Sequence, residues 1–398
     1  MSTTLANRMN SLTGSASAAV MSKVTQLRLA GRDIISLNVG EPDFPTPGNI
    51  KEAGIRAIRE DRTKYTPAAG TGELREAIAA KLRSENGISC TADHIAVCVG
   101  AKEAISAALM AVAGPGDEVI IPCPCYVSYA ELVRMAGALP VFVETDPDTY
   151  ALDPDAVERA VTPRTKAIII CTPCNPTGAV YSEAQLRALA DLALRYDFFI
   201  LTDEIYEKLV YDGARHFSAA SISEEVRDHC ITINGFSKTY AMTGWRIGYA
   251  AARKDVTAAV IRIISQLTTC VCSISQEAAL EALRGSQADV PLMRAEFQRR
   301  RDYMVQRLRG IPGIICPDAQ GAFYLLFDVR AYFGTRYGDF VIRDDTSLCE
   351  YLLEEGNVAA MPGTDYRAPG RLRISYAASM EALTQAADRM EAALARLQ

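Results

Sequence analysis

Seven short, continuously apolar runs limit what this chain can fold into: Ile95–Val99, Glu118–Pro122, Pro140–Glu144, Ala167–Cys171, Phe198–Thr202, Cys230–Asn234 and Ile247–Ala251. Between them lie stretches with helical spacing, among them Lys102–Ala113, Val127–Ala136 and Glu183–Tyr196. A strand that is apolar along its whole length has both faces covered, and strands separated by helices pair in parallel. The pattern therefore predicts an α/β fold with a mostly parallel sheet flanked by helices. After about Val260 the pattern changes to long helices, including an Arg- and Glu-rich Leu292–Arg309. A smaller α+β part follows, with strands near Ala322–Asp328, Val358–Met361 and Leu372–Tyr376 and a closing helix from Met380. The 398 residues suit two to three domains. No internal repeat or low-complexity linker separates them, so the domains are expected to share a long helix.

Composition narrows the function classes. A net charge of −6 argues against a nucleic-acid or anionic-membrane surface as the main partner. No run of 18 apolar residues occurs, which speaks against a membrane span. The N-terminal segment is polar, with no basic start followed by an apolar run, and predicts no signal peptide. Most of the 11 cysteines sit in apolar runs, as expected of reduced, buried thiols in a cytoplasmic protein.

Several segments could carry chemistry. FSKTYAMTGWRIGY brings Ser237, Lys238 and Arg246 together between two strands; the lysine could form a Schiff base and the arginine neutralise a phosphate. A solvated lysine and a surface ion pair are the plain alternative. Asp203 ends an apolar strand, where open α/β sheets bind ligands and where an acid could pair with a protonated ring nitrogen; it could also cap the next turn. Tyr206 can reach the same pocket. Asn175 lies in a Pro/Gly loop after another strand and could be a turn residue. The same segment holds Cys171 and Cys174, with Cys123 and Cys125 upstream, a spacing also compatible with zinc or redox chemistry. Gly100, Ala101 and Lys102 open a helix after a strand, and their N–H groups would suit a phosphate. Arg373 offers a fork for a carboxylate, or a structural salt bridge. The three histidines are scattered, and no metal site is expected.

Taken together and in order, these segments resemble the class I aminotransferases of the fold-type I pyridoxal-phosphate enzymes, most of all the bacterial aspartate-aminotransferase subgroup. The likeness runs from about Ile34 to the C-terminus. It rests on NVGEPDFPTP, KYTPAAGTGELREAIA, GDEVIIP, TPCNPTGAVY, TDEIYEKLVYDG, NGFSKTYAMTGWRIGYA, GAFYLLF and LRISYA. The resemblance implies a large cofactor domain over residues 48–290 around a seven-stranded sheet. It also implies a small domain built from an N-terminal arm, residues 1–47, and residues 291–398. It implies pyridoxal 5'-phosphate, held by Lys238 as an internal aldimine, with the lysine later moving the proton. Asp203 would face the pyridinium nitrogen, and Asn175 and Tyr206 the phenolic oxygen. Gly100, Ala101, Lys102, Ser237 and Arg246 would form the phosphate cup, and Tyr65 would reach the phosphate of a neighbouring subunit in a homodimer. Arg373, with Gly40 as backbone partner, would clamp the α-carboxylate of an amino acid or 2-oxo acid in a ping-pong transfer. A lyase, cyclase or oxidase on the same fold is the alternative. So is a non-catalytic regulator module, against which Lys238 and Arg373 both argue.

Four departures bear on the substrate. Cys125-Tyr126 stands where the family has Tyr-Trp, so Tyr126 is expected to stack on the cofactor. Thr13 replaces a lysine common in relatives acting on acidic substrates. Gln266–Gln276 contains no arginine, and Tyr332–Asp345 matches no family segment. With Tyr126, Cys125, Cys270, Val271 and Cys272 as an apolar wall, an uncharged or aromatic amino acid is expected to be a better donor than aspartate. A cation from Arg336 or Arg343 would reverse that expectation.

Overall fold

The computed structural model describes residues 5–10, 12–14 and 16–398. All seven apolar runs become strands of one sheet: β1 (Ile95–Cys98), β2 (Glu118–Cys123), β3 (Leu139–Glu144), β4 (Thr165–Cys171), β5 (Phe199–Asp203), β6 (Cys230–Gly235) and β7 (Gly248–Ala251). Their spatial order is β1-β7-β6-β5-β4-β2-β3. Only β7 runs antiparallel to its neighbours. Alternation along each strand explains why the runs are apolar throughout. Ile169, Leu201 and Ile231 pack on one face, and Ile168, Ile200 and Cys230 on the other. The expected helix Glu183–Tyr196 forms with those bounds, opened by a Ser182–Gln185 capping box and closed by Asp197 at φ 53°.

The first face of the sheet continues without a break into the C-terminal part. Phe297, on the helix Asp289–Arg309, packs on Phe323 and Phe44 with ring centroids 5.4 and 5.3 Å away. A second sheet follows: β8 (Tyr324–Asp328), β9 (Met361–Pro362) and β10 (Arg371–Ser375), with β10 central. The single strand expected over Val358–Met361 is divided. Val358–Ala359 pairs in parallel with Ile35–Ser36 from the other end of the chain, and after Ala360 the backbone crosses to β10, where Met361 faces Arg373. Leu37 is tied down as well, its carbonyl accepting from Ser375 N at 2.7 Å. The segment Asn38–Gly40 is thus carried by the C-terminal sheet up to the end of the large one. Among the described residues, no helix is long and apolar enough to cross a membrane.

Candidate active site

A cavity of about 500 Å³ lies at the carboxyl ends of the large sheet's strands, where open α/β sheets collect ligand-binding loops. Ala101, Lys102, Tyr126, Asn175, Asp203, Tyr206, Ser237, Lys238, Arg246, Gly40 and Arg373 all line it. Gly100 sits just behind at φ 80°; a Cβ there would meet Arg246 Nη2 at 2.6 Å, so only glycine lets the guanidinium lie against the start of the helix α4 (Gly100–Val112). Arg246 itself is at φ 53°, an uncommon backbone state for a long side chain that is found where a site dictates the conformation. Gly40 is equally constrained, since a Cβ would fall 2.0 Å from Tyr324 Oη.

Two groups on the floor are electrostatically unusual. Lys238 Nζ donates to Gly40 O at 2.6 Å and has no carboxylate partner among the described residues. Burial is the main reason its proton affinity falls to about 8, with Arg246 adding to the effect. Asp203 is 6% exposed and has no ion-pair partner among the described residues. Burial pushes its carboxyl up to about 6, against the pull of Tyr129, which donates to Oδ2 at 2.7 Å, and of Ile205 N. Tyr206 Oη is 2.8 Å from Tyr324 Oη, and burial raises the proton affinity of both.

Arg373 is 3% exposed, and its guanidinium lies 4.6 and 4.9 Å from the ring centroids of Tyr324 and Tyr366. Nη1 donates to Asn175 Oδ1 at 3.4 Å, Nη2 donates to Asn38 O, and Nε has no partner among the described residues. It makes no salt bridge with any described residue, so the structural ion pair weighed from sequence is not what holds it. A buried cation in that state calls for an anion. Lys102 and Arg246, both exposed, stand at the rim, Lys102 with its ammonium 5.6 Å from the Tyr126 centroid. Four cations therefore face the two carboxylates of Asp203 and Glu41, leaving a formal excess of two positive charges.

The family profile for aminotransferase class I and II matches residues 32–390. The chain belongs to this family. It is 45% identical over 396 residues to the aspartate/prephenate aminotransferase of Thermus thermophilus, covering 98% of this chain and 99% of that protein. It is 43% identical to the aspartate aminotransferase of Geobacillus stearothermophilus, covering 97% and 98%. Among solved structures, the aspartate aminotransferase of Rhizobium meliloti superposes with a TM-score of 0.96 at 39% identity over the whole of both chains. The Thermus thermophilus aspartate aminotransferase with maleate gives 0.92 at 44%, over 98% of this chain and all of that one. This class I/II aminotransferase is accordingly a pyridoxal-phosphate-dependent enzyme of fold type I, acting on amino acids and 2-oxo acids.

Not every residue singled out from the sequence reaches the aminotransferase cavity. Tyr65 is 89% exposed and lies on the outer surface. Thr13 is engaged with Glu131, its N and Oγ1 each donating at 3.1 Å. Of the expected apolar wall, Tyr126 lines the cavity, Cys125 lines a neighbouring one, and Cys270, Val271 and Cys272 line neither. The chain there turns away to meet the Tyr65 region, with Gln276 Nε2 donating to Thr66 Oγ1 at 2.9 Å and to Val271 O at 2.9 Å. Arg336 and Arg343 are exposed and away from the cavity, Arg336 in a small hairpin with Phe340–Val341. All eleven thiols are free, and Cys171 lines the cavity. Sequence reasoning missed Tyr129, Tyr324 and Asn38. For Tyr129 a signal existed, since three residues after Tyr126 at a helix start is one turn along the same face.

Proposed function

We propose that this aminotransferase seats the substrate α-carboxylate on Arg373 and works the amino transfer with Lys238. The observation that carries the reading is a buried Arg373 with no carboxylate partner among the described residues, in the same cavity as a lysine whose one hydrogen-bond acceptor among them is a backbone carbonyl. The residues suit pyridoxal 5'-phosphate: an amine for an aldehyde, an unpaired buried carboxylate for a ring nitrogen, and an excess of two positive charges for a phosphate. When bound, that cofactor supplies the carbonyl that takes up the amino group and the electron sink for breaking the Cα–H bond. Ser237, Arg246 and the first N–H groups of α4 would hold its phosphate, Asp203 its ring nitrogen, and Tyr206 with the free amide N–H of Asn175 its phenolic oxygen. Lys238 does the proton work. A proton affinity near 8 lets Nζ both accept and return a proton at neutral pH, and Gly40 O aims it.

A second copy of the chain completes the site in this reading. The rim groups Lys102, Arg246 and Glu41 are exposed, and Tyr65 stands outside with exposed Ile55, Ile58 and Leu267. Tyr65 would cross an isologous interface to the partner's phosphate. Sedimentation at micromolar concentration should give a dimer, and Tyr65→Phe should weaken cofactor retention; a fully active monomer would contradict this.

For the substrate's far end we favour a carboxylate. With Arg246 on the phosphate, Arg373 on the α-carboxylate and Lys238 on the cofactor, Lys102 is the cation left in the described lining and has no ion-pair partner among the described residues. The relative solved with maleate, a dicarboxylate, supports this. An uncharged or aromatic donor is the second reading, favoured by Met21, Ile105 and Tyr126 in the same lining. Comparing kcat/KM for aspartate, glutamate, phenylalanine, methionine and alanine separates them. Aspartate should lead by tenfold or more, about 1.4 kcal/mol, and lose that lead in Lys102→Met. A lead for phenylalanine or methionine selects the second reading.

A further inference from the structure

The segment Asp203–Glu207 faces two ways. Asp203 and Tyr206 line the cofactor cavity, whereas Glu204 and Glu207 turn to the opposite side, beneath the helix α3 (Gly72–Asn86). Glu204 is 0% exposed. Its Oε2 accepts from Ser218 Oγ at 2.6 Å and lies 2.9 Å from His216 Nε2, and its Oε1 has no partner among the described residues. Glu207 is ion-paired with Lys81 and accepts from Asn86 Nδ2 at 2.7 Å. Asn86 also donates to Ser218 Oγ at 2.9 Å and accepts from Lys81 Nζ at 2.7 Å, so one helix end grips both halves of the network.

With His216 protonated, its charge and that of Lys81 balance Glu204 and Glu207. Glu204, Glu207 and His216 are spaced as metal ligands, all within 4.8 Å, but Lys81 already supplies one positive charge there. Burial disfavours the imidazolium, yet the two glutamates outweigh it and raise His216 above its ordinary range. Burial likewise opposes the Glu207 anion, and Lys81 and His216 nevertheless pull it to about 2. Glu85, on the same helix α3, lies 3.8 Å from Lys81 Nζ and pairs with Lys208 at 2.7 Å. From β6 and β7, Cys230 and Tyr249 face the glutamates, both kept protonated by burial. Glu204, the next residue along, is a like charge that raises the proton affinity of Asp203, while Lys238 acts with the opposite sign.

We propose that the Glu204–His216 pair is a positioning device for the cofactor's ring-nitrogen site, clamping the Asp203–Glu207 segment from behind and keeping Asp203 an anion. This rests on the reading of Asp203 as the ring nitrogen's partner. The protonated imidazole screens Glu204, so Asp203 feels less of the adjacent negative charge. Without the imidazolium, Asp203 would hold its proton more tightly and lose part of its grip on a protonated ring.

The test is the affinity of the full-length apoenzyme for pyridoxal 5'-phosphate, titrated by fluorescence between about pH 5 and pH 9. Its acid-side midpoint should rise in His216→Gln and fall in Glu204→Gln, each by on the order of half a pH unit. The double variant should return toward the parent. A role confined to stability would lower the unfolding temperature of both variants and leave both midpoints in place, which overturns the proposal; shifts of the same sign overturn it too. If His216→Gln does not fold, because it strands a buried carboxylate, Glu204→Gln decides alone by its sign. Asp203→Asn is the separate control. If it leaves the affinity unchanged, the ring-nitrogen reading itself fails. If it weakens binding tenfold while the other midpoints stay put, only the positioning role fails.

Discussion

Replacing Lys238 by alanine is expected to lower amino transfer at least about a thousandfold, because in the proposed reading one side chain would supply both the covalent attachment and the mobile proton. The surroundings offer no substitute. Asp203 is committed to Tyr129 and Ile205 N, Tyr206 to Tyr324, and the other lining amine, Lys102, stands at the rim beside Tyr126. The variant should also lose the visible band of the bound cofactor and any adduct trapped by borohydride. A borohydride-reducible adduct persisting in Lys238→Ala would place the attachment on another amine and sink the assignment.

Arg373 carries the second large effect. Truncation to alanine should cost about 2–5 kcal/mol of transition-state binding, roughly thirtyfold to several thousandfold in kcat/KM. Arg373→Lys should suffer as well. The guanidinium lies between the rings of Tyr324 and Tyr366 and spreads its donors toward Asn175 and Asn38. An ammonium can reproduce neither the flat contact nor the fork. Unchanged kcat/KM in Arg373→Lys would mean that the carboxylate is held by some other group. The loss should be common to every donor, which distinguishes it from Lys102→Met, whose effect should follow the far end of the substrate.

The large sheet was legible because burial on both faces leaves a compositional trace that needs no knowledge of partners: Ile168 and Ile169 are both apolar since each meets a different core. The residues that gather in the cavity were legible for a different reason. Asp203, Asn175, Lys238 and Arg373 each stand at the end of an element or within a recognisable motif. Contacts between distant parts of the chain left no such trace. Tyr129 reaches Asp203 across 74 residues, and Lys81 reaches Glu207 across 126. The apolar wall failed on the same ground, since Cys270–Cys272 was placed by motif order alone, and the hydrogen bonds of Gln276 draw it toward Thr66 instead. Val358–Met361 likewise reads as one strand, because hydrophobicity does not record that the chain changes sheets at Ala360.

The short span Asn38–Gly40 hangs from the C-terminal sheet through Ile35–Ser36 and Leu37, yet its carbonyls hold Arg373 at one end and Lys238 at the other. The enzyme is therefore not modular in the way its two-part outline suggests. Grafting the part after about residue 290 from a relative, to import a different substrate preference, would replace the strand that suspends Asn38–Gly40 and so shift the acceptor that aims the lysine. Chimeras cut near residue 290 inherit that mismatch unless residues 34–40 travel with the graft, which makes those few residues, far away in the chain, part of the same exchangeable unit.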